Sequence, residues 1–523
     1  MPRRFIIYII FIVACLLAAP FSIAEAEVSS VQSFSWNYYS VEGNENNSFY
    51  PSDESDYLYE GNFHYNNIFK GDNEFFGNIA YRSTDDKLID SQSVSLENMY
   101  LGIKSKAGEF LTGDFYSSFS EYSLSNALKG LRLTLDAEKQ SRLIILAGFD
   151  TAKWEDLWEE RCDDSLNRRL VWGTRLENNL LSNKLALNFN YAGARDDSAY
   201  VTTPLMTNIF SLDGKYNVNS FLVFSSELAQ SFVDQNIDQD DNNSKGDRAI
   251  KLACDLNLKD YNLTSKYSRV GTNFASASGF VASDLEAITL DGIWYLPSKL
   301  RLTHYLHMDE DNLSKTKSTT TEQLNPGARL DFSLFKDFSA FISTDFRKRV
   351  STDKNTDDKT YSYSTGLTRD FEAFYSYLNY TKTIVTSDAI SSRERNSDTY
   401  SVGLDGSFDL EKDLRLAWNI SENLSYEKYK EAASSDFTSS TNTGIALRFP
   451  SSLSLEARAS FFDNNFYLND TDSNNTQYYF MVSRQLKKDL SFNLSYERRD
   501  YNFASNENNY AENITRASFY CKF

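Results

Sequence analysis

Ala517-Ser518-Phe519-Tyr520-Cys521-Lys522-Phe523 closes the chain, and Leu490-Ser491-Phe492-Asn493-Leu494-Ser495-Tyr496-Glu497 a little before it has the same rhythm. Apolar side chains alternate with polar or amphipathic ones, the period-two pattern of a strand with two unlike faces. Leu453, Leu455, Ala457, Ala459 and Phe461 repeat the pattern, opposed by Ser454, Glu456, Arg458 and Ser460. Farther back, Leu185, Leu187, Phe189 and Tyr191 run out, Thr202 to Asn208 turn, and Phe210, Leu212, Gly214 and Tyr216 return.

Compact turns separate these units. They stand at Leu181-Ser182-Asn183-Lys184, Asn217-Val218-Asn219-Ser220, Lys259-Asp260-Tyr261-Asn262, Pro297-Ser298-Lys299, Lys336-Asp337, Arg369-Asp370, Glu411-Lys412-Asp413, Pro450-Ser451-Ser452 and Lys487-Lys488-Asp489. Less regular members lie near Lys70-Gly71-Asp72, Lys106-Ala107-Gly108 and Lys139-Gln140. Neighbouring turns are roughly 33 to 42 residues apart, a period that calls for weighing solenoids and propellers. Each unit, however, reads as strand, polar loop, strand, tight turn, with two long strands where a propeller blade needs four short ones. Strands of about nine to twelve residues suit a tilted bilayer crossing. Twelve turns delimit about thirteen hairpins, so the fold expected is all-β: a transmembrane antiparallel up-and-down barrel of roughly 22–26 strands, closed because an open sheet edge in lipid leaves backbone groups unpaired. Pro51 and Pro204 fall in long loops, Pro297 and Pro450 in turns, and Pro326 at a strand entrance, so no strand interior is expected to lose a ladder hydrogen bond to proline.

Arg3 and Arg4, the apolar run from Phe5 to Ala19, and Ala24-Glu25-Ala26 read as a secretory signal, residues 1–26, cleaved ahead of Glu27. A rival reading takes Ile12-Val13-Ala14-Cys15 as a lipoprotein box, although Leu16 to Ala19 continue the apolar run. Residues 27–523 are then one barrel, with no room for a plug or periplasmic module before the first strand near Val31. Bulk numbers fit this reading. Mean hydropathy is −0.49, yet a barrel shows lipid only half of each strand. Thirty-three Tyr and 38 Phe suit aromatic girdles at the two interfaces. A formal net charge of −20, more acidic still without the signal, argues against a nucleic-acid partner, which demands phosphate neutralisation. Cys162, Cys254 and Cys521 are too few and too odd for a disulfide framework; Cys254 shares the apolar face of Ile250, Leu252, Leu256 and Leu258.

The terminal pattern Phe519, Cys521, Phe523 resembles the C-terminal signature of bacterial outer-membrane β-barrels. That resemblance implies the bacterial outer membrane, contact with its lipid and lipopolysaccharide, and Phe523 as the signal for the barrel assembly machinery. The run Gly113-Asp114-Phe115-Tyr116 to Leu128-Lys129-Gly130 resembles a Gly-Asp…Phe…Gly-x-x-Leu pattern of several large barrels, fimbrial ushers among them, over a small part of the chain. The absent plug and periplasmic domains argue against usher function, against a TonB-dependent receptor and against the lipopolysaccharide-inserting barrel.

Little here carries chemistry. His304 and His307 lie three apart on one strand and so on opposite faces, unable to share a metal. No haem-attachment, phosphate-loop, zinc or nucleophile-elbow motif is present, so no catalytic, cofactor or metal residue is assigned and the chain is not read as an enzyme. Asp234, Asn236, Asp238, Asp240 and Asp241 form an acidic loop without the Gly and terminal Glu of an EF-hand, read as a solvated surface. Lys251 and Asp255, Arg329 and Asp331, Arg415, Glu456 and Arg458, and Glu497 sit at inward positions and make a mixed, wetted wall. Two loops stand out. In Asp150 to Arg169, Trp154, Leu157, Trp158 and Arg161 stand at helical spacing, with Asp150 or Thr151 as N-cap, and must hide two indoles against the rim or in the lumen. Between Gly113 and Gly130, Phe119, Tyr122 and Leu124 are unusually apolar for an aqueous loop, as in a segment bent inward. Trp154, Leu157, Trp158, Phe119 and Tyr122 are therefore the candidate constriction or docking residues.

The function expected is a porin-like conduit for passive or partner-gated passage of solutes. A barrel this wide needs loops or a lumenal protein partner to narrow it. Alternatives are a sheath around a multihaem cytochrome, a family this long, cysteine-poor, Tyr-rich hairpin array resembles without its N-terminal Cys-x-x-Cys, and a polysaccharide export channel.

Overall fold

The computed structural model describes residues 26–50, 53–69, 73–137, 140–157, 168–199, 201–238, 244–276, 279, 281–411, 414–431, 434–466 and 472–523. The signal region, apart from Ala26, therefore lies outside the described residues, as do Trp158, Arg161, Cys162, Asp240 and Asp241. One 26-stranded antiparallel sheet contains every strand described. Each strand pairs with the next, and β1 (Ala26–Gly43) returns to pair with β26 (Tyr510–Lys522) from Val31↔Lys522 to Gly43↔Tyr510. Ser30 and Phe523 exchange backbone hydrogen bonds of 3.1 and 2.8 Å beyond that ladder, so the last residue helps shut the barrel. Strands run from 10 to 18 residues, longer than the alternation alone implies because the ladders continue past the apolar band.

Twelve short connections of two to four residues fall at one end, and those described lie at or beside the turns the sequence marks; Lys70-Gly71-Asp72, Lys139, Lys412-Asp413 and, in a long loop, Pro51 lie outside the described residues. The opposite end carries the longer loops, with one exception, the three residues Glu121–Ser123. Lipid-facing positions such as Phe189, Phe210, Phe224, Leu228, Ile342 and Phe480 are exposed, as a barrel's outer face requires. With strands about 4.8 Å apart and tilted by about 40°, 26 of them enclose a circle on the order of 50 Å across between backbones.

Pro326 departs from expectation. It lies inside β16 (Thr321–Phe335), opposite Leu306, rather than at the strand entrance. The ladder from β16 to β17 (Phe338–Ser351) passes from Leu324↔Lys348 to Gly327↔Asp345 without a pair at 325–326, where the missing N–H and fixed ring interrupt it. His304 and His307 do diverge: the first stacks on Tyr261 with centroids 6.0 Å apart, and the second meets Asp291 at 2.9 Å.

Candidate functional site

The ten strands from β4 to β13 build the site. They are β4 (Val94–Ser105), β5 (Gly108–Ser120), β6 (Leu124–Ala137), β7 (Ser141–Asp150), β8 (Arg169–Leu180), β9 (Leu185–Asp196), β10 (Met206–Asn217), β11 (Leu222–Asp234), β12 (Lys245–Asn257) and β13 (Tyr261–Val270). β5 and β6 pair along their whole length, from Gly108↔Leu135 to Ser120↔Leu124. Their outer edges behave differently. β4 follows β5 only from Ser105↔Gly108 to Tyr100↔Gly113, and β7 follows β6 only from Ala137↔Ser141 to Lys129↔Phe149. Above that level the hairpin Asp114–Leu128 leaves the wall on both sides.

Three glycines mark the crease. Gly113 faces Gly130, and Gly130 faces Gly148, so three neighbouring strands lack a Cβ at one level. A Cβ on Gly113, whose φ is +108°, would stand 2.1 Å from the Met99 carbonyl oxygen, and one on Gly130 would stand 2.1 Å from that of Ala147. Only glycine allows so sharp a fold with the backbones in contact.

Beyond the crease the hairpin lies face to face against the inner wall. Phe115, Phe119, Leu124 and Leu128 are buried with Leu111, Leu146, Val171, Ala192 and Ala194. The Phe119 ring covers Gly173, reaching 2.7 Å from where a Cβ would be. At the tip Tyr122 is buried against Ile209, Ala229, Ala249, Val270 and Phe274, its ring edge-on to Phe274 at 5.9 Å. Burying five large side chains stabilises the docked hairpin by about 1.5–3 kcal/mol each.

Polar contacts latch the tip. Lys266 Nζ donates to Glu121 Oε1 at 3.0 Å, and Lys251 Nζ to Glu121 Oε2. The Tyr122 N–H donates to Glu227 Oε1 at 3.2 Å, the Tyr122 hydroxyl to the Ile250 carbonyl at 3.3 Å, and Ser276 Oγ to the Ser123 carbonyl at 3.2 Å. Ser120 and Ser211 hydroxyls stand 3.1 Å apart. Burial alone would raise the Glu121 pKa, but the two ammonium groups outweigh it and hold the carboxyl below its ordinary range.

At the base, Asp114 gathers three donors. Oδ2 accepts the Met99 N–H at 2.7 Å and the Trp154 indole N–H at 2.6 Å, while Oδ1 accepts Lys129 Nζ at 2.6 Å. Lys129 also lies 5.4 Å from the Trp154 ring centroid. The segment after β7 thus crosses towards β4: Glu155 Oε1 accepts the Leu96 N–H at 2.9 Å, and Lys153 pairs with Asp90. Burial pushes the Asp90 carboxyl up, but hydrogen bonds from Lys153, Ser95 and the Gln92 N–H win, and its pKa lies below the usual value.

The candidate residues are thereby placed. Phe119 and Tyr122 belong to one inward hairpin and lie against the wall. Trp154 sits at the hairpin's base, 2.6 Å from Asp114. Leu157 ends a single 3₁₀ turn, Glu155–Leu157, which is shorter than the helix the spacing implies. Trp158 lies outside the described residues. Phe519 packs on Phe492 at 4.8 Å, Cys521 is half-buried with a free thiol, and Phe523 is exposed beyond its bonds to Ser30. Sequence reasoning missed Glu121, Lys266 and Glu227; it placed Lys251 at an inward position and quoted Asp114 and Lys129 within the Gly113–Gly130 run, but gave none of the three a part in holding the hairpin. It also missed the dry strip Ala192, Ala194, Ile209, Ala229, Ala249 and Val270, whose signal was present as apolar residues at inward positions. Among the described residues no three His, Cys, Asp or Glu side chains group to hold a metal.

This closed antiparallel meander is the fold of the outer-membrane β-barrels. No protein-family model and no curated protein matches the chain. Among solved structures it is similar to the siderophore receptor PirA from Pseudomonas aeruginosa, at 9% identity and a TM-score of 0.43 over 96% of this chain and 81% of that one. It is also similar to Pseudomonas aeruginosa OccK2 (OpdF), at 8% identity and 0.34 over 69% and 98%, and to the P pilus usher PapC translocation pore, at 11% identity and 0.29 over 95% and 99%. Likenesses of this size concern the barrel architecture alone, and the functional argument rests on the hairpin.

Proposed function

We propose that the protein is a porin-like conduit of the bacterial outer membrane whose lumen is narrowed on one side by the hairpin Asp114–Leu128. The observation that carries the reading is the hairpin's dry attachment to an apolar strip of wall made of Ala192, Ala194, Ile209, Ala229, Ala249 and Val270. Its other face exposes Tyr116 and Ser118, as a surface turned to an aqueous lumen requires. The remaining wall, from β14 (Leu285–Leu296) to β24 (Ser473–Lys487), keeps inward charges of both signs: Arg301 to Asp331 at 3.2 Å, Arg329 to Asp331 at 2.8 Å, and Arg458 beside Glu456. A solute would pass along this wetted side.

Planar-bilayer recordings of the full chain and of a variant with residues 114–128 replaced by a short turn test the reading. Steady steps that widen on deletion support it. Steps of equal size in both forms would remove the hairpin from the conducting path, and silence in both folded forms would overturn the conduit and favour an occupied sheath.

A further inference from the structure

The wall above the crease is two strands short. Every other neighbouring pair of strands is joined by a backbone ladder over most of its length, but among the described residues the span between β4 and β7, which stays paired with β8 up to Asp150↔Arg169, is vacated by the hairpin. A return of the hairpin into the wall is not available. Below the crease, Phe110, Leu131 and Leu135 face lipid while Glu109 and Arg132 pair inside at 2.7 Å. Above it the phase inverts, since Phe115 and Phe119 share the alternation of Glu109, and Asp114, Tyr116 and Ser118 share that of Phe110. Standing upright, the hairpin would offer an aspartate and serines to hydrocarbon and bulky rings to water, at a cost of several kcal/mol per buried polar group. The vacancy is therefore permanent.

Among the described residues the segment Thr151–Leu157 stops it, reaching β4 and its flanks through side chains. Glu155 caps the Leu96 N–H, Trp154 meets Asp114, and Lys153 meets Asp90. The outward residues framing the vacancy are apolar: Val94, Leu96 and Met99 on one edge, and, just behind the end of β7 on the other, Leu170, 39% exposed and paired with Phe149. Leu96 stands level with Tyr81, within the aromatic set Tyr59, Phe63 and Tyr81. Such a belt marks the height of the lipid headgroups. Directly inside lie Asp114, Lys129 and the donor N–H groups of Leu96 and Met99.

We infer that this place is a side port between the lumen and the lipid, stopped by residues 151–157, and that it admits an amphiphile. The acyl tail would lie against Val94, Leu96, Met99 and Leu170. An acceptor-rich polar head would take over the Leu96 N–H that Glu155 accepts in the closed state. Apolar outside and donor-rich within, the frame matches such a molecule better than a fully polar solute. The port stands apart from axial conduction and survives if that reading fails.

The test uses the full barrel with Cys162, Cys254 and Cys521 replaced by Ser, carrying Asp90→Cys and Lys153→Cys. It is reconstituted in phosphatidylethanolamine vesicles containing a phosphatidylglycerol with a diazirine in its acyl chain. Unlinked, the pair lacks the ion pair that holds the stopper; joined by a bifunctional thiol reagent, the stopper is locked. Photolabel mapped by mass spectrometry is expected at Val94, Leu96 and Leu170 in both states, and several-fold more at Asp114 and Tyr116 in the unlinked state. Folding is verified in both by heat-modifiable migration. Label confined to outward positions in a folded, unlinked barrel overturns the port, as does equal lumenal labelling with and without the lock.

Discussion

At the residue scale, Asp114 decides whether the crease holds. Its partner Lys129 has a side chain only 6% exposed, so truncating the carboxylate strands a buried ammonium. Removing one member of a buried pair costs about 3–5 kcal/mol, whereas replacing both by apolar residues is often neutral. Asp114→Ala should accordingly lower the urea midpoint of the folded barrel, and Asp114→Ala with Lys129→Met should recover most of the loss. A double variant as weak as the single one would show that the Met99 and Trp154 bonds to Asp114 matter more than the charge. The tip gives a pH dependence of definite sign. Because the pKa of Glu121 is depressed in the folded state, its contribution to docking is complete above the ordinary carboxyl pKa, about 4.3, and is lost as pH falls through the lower folded value. Conductance should be constant from neutral pH down to about 5 and change only in stronger acid, with Glu121→Gln showing at pH 7 the behaviour of the wild type in acid. A Glu121→Gln trace identical to wild type at pH 7 would dismiss the latch.

At the scale of elements, the hairpin's docking rests on large rings against small wall residues. Phe119→Ala removes a ring that fills the space over Gly173, and truncation of a buried Phe costs about 3–5 kcal/mol. The expected result is a folded barrel with flickering, enlarged conductance, because the outer ladders do not depend on Phe119. A protein that fails to fold would mean the hairpin docks before the barrel closes. What the sequence could and could not disclose differs from element to element. The twelve short turns and the meander were readable because each lies between strands with one apolar phase, as at Leu453 to Phe461. The hairpin was harder. Phe110, Leu131 and Leu135 put the apolar phase on one side, and Phe115, Phe119, Leu124 and Leu128 put it on the other, so alternation alone reads as a loop rich in rings. The switch beside Gly113 and Gly130 was the available sign of a fold-over. Pro326 was misplaced because a strand can tolerate proline where its neighbour's ladder skips a pair, a tertiary fact with no local trace. Asp114 and Glu155 were illegible for a related reason: their acceptors serve backbone groups of β4 that are orphaned only once the hairpin has left.

At the scale of the whole molecule, two places compete as the weak line in the wall: the vacancy between β4 and β7, and the seam where β1 meets β26. The seam joins residues almost the full chain length apart, and it is the last ladder that can form once the other strands are paired. It is nonetheless continuous, with 13 paired positions from Val31↔Lys522 to Gly43↔Tyr510 and the added bonds between Ser30 and Phe523. The vacancy has no such ladder on the side of β4. A covalent staple separates the two. Ser35 and Ser518 are direct partners across the seam, so Ser35→Cys with Ser518→Cys, in a background lacking the native cysteines, should join under oxidation into a cyclic chain. With the disulfide formed, resistance to unfolding should rise, because the open-chain states are removed. Both axial conductance and lipid labelling at Asp114 should stay as they were, since neither path uses the seam. Loss of either on oxidation, restored by reduction, would place the moving part of the wall at β1 and β26 and leave the vacancy between β4 and β7 a sealed defect.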